Sequence, residues 1–280
     1  MSELRVELFT PGILRDQAEG RALLDALGEH LPYWMPHRYG WSEPLRNVYD
    51  PARPEHFWDT AHGLAFRNAA RNASGEVDVR MGPWDILSKI TLSGRVPRSQ
   101  LESGTGPFLS QCGRALDLTY AMAHIFTERQ AADYYRLWFE TAPSDDGTVR
   151  NAAQGPFPHC LRDLYWANVF GPPYTELFGA SRLRTAPAAV VTELRPGYFY
   201  LQVTASIRDL TDAATVPAYQ AARDAVKEHL GPECFYDPAA ATPRRAPAFR
   251  TAAEEGLWKP REGVTLGPGV QELLDRIANR

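Results

Sequence analysis

Two stretches, "EVDVRMGPWDILSKITLSG" (Glu76 to Gly94) and "AVVTELRPGYFYLQVTASI" (Ala189 to Ile207), share one form. Each sets apolar and β-branched residues on both sides of a Gly/Pro break, at Met81-Gly82-Pro83 and at Arg195-Pro196-Gly197. Each therefore reads as two short strands joined by a turn. A polar stretch and a helix follow in both cases, from Gly106 in the first and over Pro217 to Gly231 in the second. This form commits much of the chain to strand pairs covered by helices, and it suits a duplicated hairpin-plus-helix unit.

The remaining elements are less regular. "LRVELF" (Leu4 to Phe9) alternates like a half-buried strand, and "RDQAEGRALLDALGEHL" after it has helical spacing. "LPYWMPHRYGWSEPL" (Leu31 to Leu45) sustains no period, while "PEHFWDTAHGLAFRNAARNA" reads as a helix with Pro54 in its first turn. "ALDLTYAMAHIF" (Ala115 to Phe126) suits a strand or a helix, and "TERQAADYYRLWFETA" suits a helix capped by Thr127. Strands and helices without strict alternation predict an α+β fold, with a mixed or antiparallel sheet and flanking helices. Residues 1–236 form one compact domain in this reading, divisible into lobes 1–150 and 151–236. Residues 237–280 form a Pro- and Arg-rich arm that closes with the amphipathic "GVQELLDRIANR".

Size and charge narrow the function. At 280 residues and 44% hydrophobic, the chain can bury a large core. Its net charge of −4 is far from the basic stripe that a nucleic-acid backbone requires. Cys112, Cys160 and Cys234 are far apart and unpaired in spacing, which predicts neither a zinc cluster nor a disulfide framework and suits a reducing cytoplasm. The start "MSELRVELFTPG" lacks an apolar leader, and no segment approaches a membrane span, so neither export nor membrane insertion is expected.

Chemistry-bearing motifs are sparse. "SGTGPFL" supplies Gly104 and Gly106 but has Leu109 where a dinucleotide fingerprint needs a small residue, so it reads as a loop entering a helix. His56 and His62, and His30 and His37, are spaced wrongly to share a metal on one helix face, so neither a metal nor a cofactor is expected. His159 beside Cys160 suggests an activated thiol, although adjacent side chains point apart. Asp145-Asp146 reads first as a turn in "PSDDGT". Trp34, His37, Arg38, Tyr39 and Trp41 concentrate the side chains that anchor protein interfaces, against the alternative that they cap the core beneath an irregular loop.

"DLYWANVFGPPYTELFG" (Asp163 to Gly179) is the densest aromatic stretch. Leu164, Tyr165, Val169 and Phe170 have helical spacing; Gly171 ends the helix, Pro172 and Pro173 block its return, and "YTELFG" resumes as a short helix closed by Gly179. With "LRTAPAAVVTEL", "GYFYLQVT" and "HLGPECFYD" after it, the segment from about Pro156 to Phe235 resembles the immunity protein 52 family of bacterial polymorphic-toxin systems. The resemblance implies a cytoplasmic, non-enzymatic protein that binds and neutralises a cognate toxin, and it brings no catalytic residues.

The near-neutral charge favours shape and aromatic anchors over nucleic-acid mimicry. The expected partner surface comprises Trp34, His37, Arg38, Tyr39, Trp41, Asp145, Asp146, Trp166 and Tyr174. The alternative is a hydrolase or transferase whose site assembles from His37, Glu43, His159 and Asp163. A third reading is a subunit of a larger assembly that docks through the arm from Asp237 onward.

Overall fold

A computed structural model describes residues 3–11, 17–40, 43–58, 64–78, 87–95, 97–126, 161–235, 245–247 and 249. Their strands are β1 (Glu3–Thr10), β2 (Arg38–Gly40), β3 (Asn47–Val48), β4 (Leu64–Arg67), β5 (Ala73–Asp78), β6 (Ser88–Gly94), β7 (Tyr120–Phe126), β8 (Ala167–Phe170), β9 (Val190–Arg195) and β10 (Tyr198–Gln202). The helices are α1 (Gln17–His30), α2 (Glu55–Trp58), α3 (Arg98–Ala115), α4 (Pro172–Phe178), α5 (Ala180–Arg184) and α6 (Val216–Leu230). The fold is α+β. All ten strands join one antiparallel sheet in the order β3-β2-β4-β5-β6-β1-β7-β8-β10-β9, so β7 and β8 carry a single sheet across the boundary between the two expected lobes.

Register divides the side chains between two faces. Val6, Ala123, Leu92, Gly75 and Phe66 share one face through successive pairings, and α3 lies on that face farther along the sheet. Glycines make this approach close. A methyl at Gly113 would meet Leu194 Cδ1 of β9 at 2.4 Å, and where α3 meets the end of α1 one at Gly104 would meet the His30 carbonyl oxygen at 2.1 Å. The opposite face carries Tyr120, Phe170 and Phe199, and α4 and α6 cover it: the Tyr174 ring packs tilted against Tyr120 (5.6 Å) and the Tyr219 ring tilted against His124 (5.9 Å). One hydrophobic cluster includes residues from both faces.

Both expected strand pairs form, β5 with β6 and β9 with β10, and a helix follows each, while the turn expected at Met81-Gly82-Pro83 lies outside the described residues. They take different places in the sheet: β6 borders the central β1, whereas β10 borders β8. β1 is more enclosed than a half-buried strand, because seven of its eight residues are buried. Three readings change. Ala167–Phe170 is a strand rather than a helix; all four residues are buried, and a short run covered on both sides carries no period that separates the two forms. The described helix after Pro54 spans Glu55–Trp58, and Leu64–Arg67, expected within it, is β4. α3 begins at Arg98 rather than at Gly106, so Gly104 lies within the helix rather than in a loop before it.

The helix predicted from Thr127 and the one predicted at Gly269 lie outside the described residues. Described residues of the arm lie against their own chain. Arg245 donates its backbone N–H to the Glu233 carbonyl (2.9 Å), and the Phe249 ring lies 6.2 Å from that of Tyr174.

Candidate functional site

A band of charged side chains crosses the centre of the sheet on the face that carries Tyr120. It begins at β5 and β6, where Asp78 stands opposite Lys89. On β1, Glu7 accepts from Arg5 Nε at 2.8 Å and meets Lys89 Nζ at 3.2 Å. The Glu7 side chain is only 1% exposed, whereas Arg5 and Lys89 retain 10% and 16%. Alternation explains the grouping: Arg5 and Glu7 are two residues apart on one strand and point the same way.

The band continues through Arg5, which stands opposite His124 on β7. His124 Nδ1 accepts the backbone N–H of Trp166 at 3.3 Å, and its ring packs among Phe126, Tyr165 and Tyr219. Asp163, just before β8, receives Arg223 Nη1 (3.2 Å) and Lys227 Nζ (3.0 Å) from α6. Arg223 also bridges to Asp224 at 3.0 Å. Arg223 and Lys227 are four apart on α6, so helical geometry brings both cations to one carboxylate.

Burial shapes the electrostatics. It pulls the Lys89 ammonium below the ordinary lysine value against the opposing pull of Glu7. It raises the Asp78 carboxyl, with Lys89 opposing, and it brings His124 down to about 4, with the nearby Asp163 charge opposing. His124 is therefore neutral at pH 7. The two groups of four, Arg5, Lys89, Glu7 and Asp78, then Arg223, Lys227, Asp163 and Asp224, each balance two cations against two anions. Chemically, the band is two sets of paired charges, one tying β1 to β6 and the other tying the residue before β8 to α6. Among the described residues, no group of three His, Cys, Asp or Glu side chains is placed to hold a metal.

The expected partner residues divide by burial. Trp34 is fully buried, with its indole N–H 3.4 Å from the Ser93 carbonyl oxygen. Tyr39 donates to the His56 carbonyl (3.1 Å) and packs on Phe57; Trp166 donates to the Thr204 carbonyl (3.1 Å). Tyr174 lies among Tyr120, Phe170 and Phe178. These four rings belong to the core, which is the alternative weighed for such aromatics. His37 and Arg38 are exposed, and Arg38 stands between Val48, 57% exposed, and Arg67, which pairs with Glu43 at 2.7 Å. Trp41, Asp145, Asp146, His159 and Cys160 lie outside the described residues.

The constellation His37, Glu43 and Asp163 is not brought together. His37 directly precedes β2, Asp163 shortly precedes β8, and the two strands are six places apart in the sheet. At the usual strand spacing that is roughly 29 Å.

Arg5, Glu7, Asp78, Lys89 and His124 were not singled out from the sequence. The available signal was the charge at alternate positions of "LRVELF", which is also how a solvent-facing strand edge reads.

No protein-family model matches the chain, and no curated protein matches it. Among solved structures, the chain is similar to the Pseudomonas aeruginosa T6SS protein PA0821, with a TM-score of 0.50 and 14% identity over 99% of this chain and 86% of that one. At that identity the likeness concerns the fold.

Proposed function

We propose that the chain is a non-enzymatic binding protein of immunity type that neutralises a cognate protein toxin in the bacterial cytoplasm. The observation that carries this reading is the state of the charged band: Glu7 and Asp163, its most deeply engaged carboxylates, are each bound by two cations. Carboxylates held in this way stabilise a scaffold, whereas acid–base catalysis needs a group poised to exchange protons with a substrate. The motif from Asp163 to Gly179 supports the same reading through its resemblance to an immunity family, and so does a fold shared over nearly the whole chain with a protein titled as belonging to a T6SS. No helix of the described residues is long and apolar enough to cross a membrane.

His37, Arg38 and the exposed Val48 form the toxin-facing patch in this proposal. A basic and apolar patch favours an acidic surface on the toxin. The test is capture from the native bacterium on a tagged copy, followed by co-expression of the captured protein with and without this chain. A captured toxin domain whose growth arrest is relieved by the chain supports the proposal. Retention of a small molecule with no toxin overturns it in favour of an enzyme.

A further inference from the structure

The two edges of the sheet are unlike. β3 has two residues, Asn47–Val48, which is too short to template another strand. β9 has six, "VVTELR", with Val190, Thr192 and Glu193 exposed and Val191, Leu194 and Arg195 half-buried. One side of β9 bonds β10, and among the described residues its other side is the end of the sheet.

Proteins usually guard such an edge with charge. The two charges of β9 are engaged within the chain. Glu193 accepts Arg184 Nη2 at 2.7 Å. Arg195 turns toward α3, donating to the carbonyls of Gly113 (3.1 Å) and Leu116 (2.7 Å) while lying over the Tyr198 ring. What remains along the rim is β-branched and uncharged: Val190, Val191 and Thr192.

We propose that β9 pairs antiparallel with β9 of a second copy of this chain, extending the sheet through a two-fold axis at Thr192. Sheet continuity requires same-face residues to meet; Val190 and Thr192 share one face and Val191 and Glu193 the other, and Leu194, where the register with β10 shifts, turns its side chain toward Gly113 of α3 on the face of Thr192. Centring on Thr192 satisfies this at every position. Thr192 meets its own copy, Val190 meets Leu194, and Val191 meets Glu193. Thr–Thr and aliphatic pairs are favourable across strands, and no like charges face each other. Shifting the axis by one residue to Glu193 would oppose two carboxylates. The pairing is isologous, so it closes at a dimer. It does not depend on the toxin-binding reading, since the candidate toxin patch lies at the other edge of the sheet.

The test is sedimentation equilibrium of the full chain across a concentration series, with two variants. The native chain is expected to approach twice its 31.3 kDa mass as concentration rises. Thr192→Lys, which sets two ammonium groups face to face on an exposed position, is expected to weaken the dimer about tenfold or more. In the paired strands the two Thr192 Cα atoms would be about 4.5–5.5 Å apart, within disulfide range. Oxidised Thr192→Cys is therefore expected to run as a covalent dimer, and Glu228→Cys, exposed on α6, is expected not to. A chain that stays monomeric, or a dimer that Thr192→Lys leaves unchanged, overturns the proposal. A native chain that is itself monomeric and whose toxin capture is lost in Thr192→Lys would overturn it too, since the occupant of the edge would then be a strand of the toxin.

Discussion

Tyr120 donates its hydroxyl to Asn168 Oδ1 at 2.9 Å, with both side chains buried. The same oxygen accepts the Tyr165 N–H (3.2 Å), and Asn168 Nδ2 returns a bond to the Tyr165 carbonyl (2.9 Å). One amide thus closes the turn before β8 and pins it to β7, which gives a physical reason for an asparagine among the aromatics of that motif. Asn168→Ala removes the partners of a buried N–H and C=O, and a loss of about 2–4 kcal/mol is expected in urea unfolding. Tyr120→Phe spares the bonds to Tyr165 and should cost less, about 1–2 kcal/mol. Equal losses in the two variants would mean that the amide does not organise the turn.

Gly171 answers a second question about the motif. A methyl there would lie 1.8 Å from the Leu118 carbonyl oxygen, and the Gly171 N–H bonds the Thr119 carbonyl at 3.0 Å. The glycine is required by close approach of backbone. Gly171→Ala should part β8 from the chain entering β7 at a cost of about 1–3 kcal/mol, the usual range for forced overpacking. A melting temperature equal to that of the unaltered protein would refute the contact.

Much of this architecture was legible because it is local. The hairpins announce themselves through turn residues flanked by strand formers, and α1 and α6 through their apolar spacing. Ala167–Phe170 was not legible as a strand, because cover on both faces erased the alternation that identifies one. The charged band was hidden for a related reason. Arg5 and Glu7 look like the wet side of a strand until distant parts of the chain bury them, and their partner Lys89 lies on another strand. Trp34 and Tyr174 show the reverse ambiguity: aromatic residues beside prolines read alike whether they anchor a partner or fill a core, and only their burial separates the two.

The enclosed His124 predicts a pH dependence of stability. Its value in the fold is about 4, below the ordinary 6.5, so the unfolded chain binds the proton more readily between these two values. Stability should then be unaffected by this group above about pH 6.5 and fall as pH drops toward 4, by about 3 kcal/mol in total. Asp78 acts in the opposite sense, because its raised carboxyl gains a proton as pH falls and relieves its own burial. His124→Gln isolates the histidine: urea midpoints at pH 7, 5.5 and 4.5 should fall less steeply in the variant. Parallel profiles would contradict the assignment.

Glu7 carries the greatest exposure-to-charge contrast of the band, and neutralising it should be costly. Glu7→Gln keeps the volume but leaves the Arg5 guanidinium and the Lys89 ammonium without their shared anion. Breaking a buried pair in this way typically costs about 3–5 kcal/mol. Urea denaturation at pH 7 measures it, and a loss below about 1 kcal/mol would place the pair in the class of surface bridges.

Stability and binding should separate along the aromatic segment. Trp34 is wholly enclosed, so Trp34→Ala should destabilise the fold by about 3–5 kcal/mol and weaken toxin binding only through unfolding. Arg38 projects from β2 beside the exposed Val48, and Arg38→Glu should leave the urea midpoint within about 0.5 kcal/mol of the unaltered value. If the patch meets an acidic toxin surface, the same change should slow association and lower affinity at low salt, with the difference shrinking as ionic strength rises. Titration calorimetry against the captured toxin at two salt concentrations separates the cases. A toxin affinity untouched by Arg38→Glu at both concentrations would move the contact away from this end of the sheet.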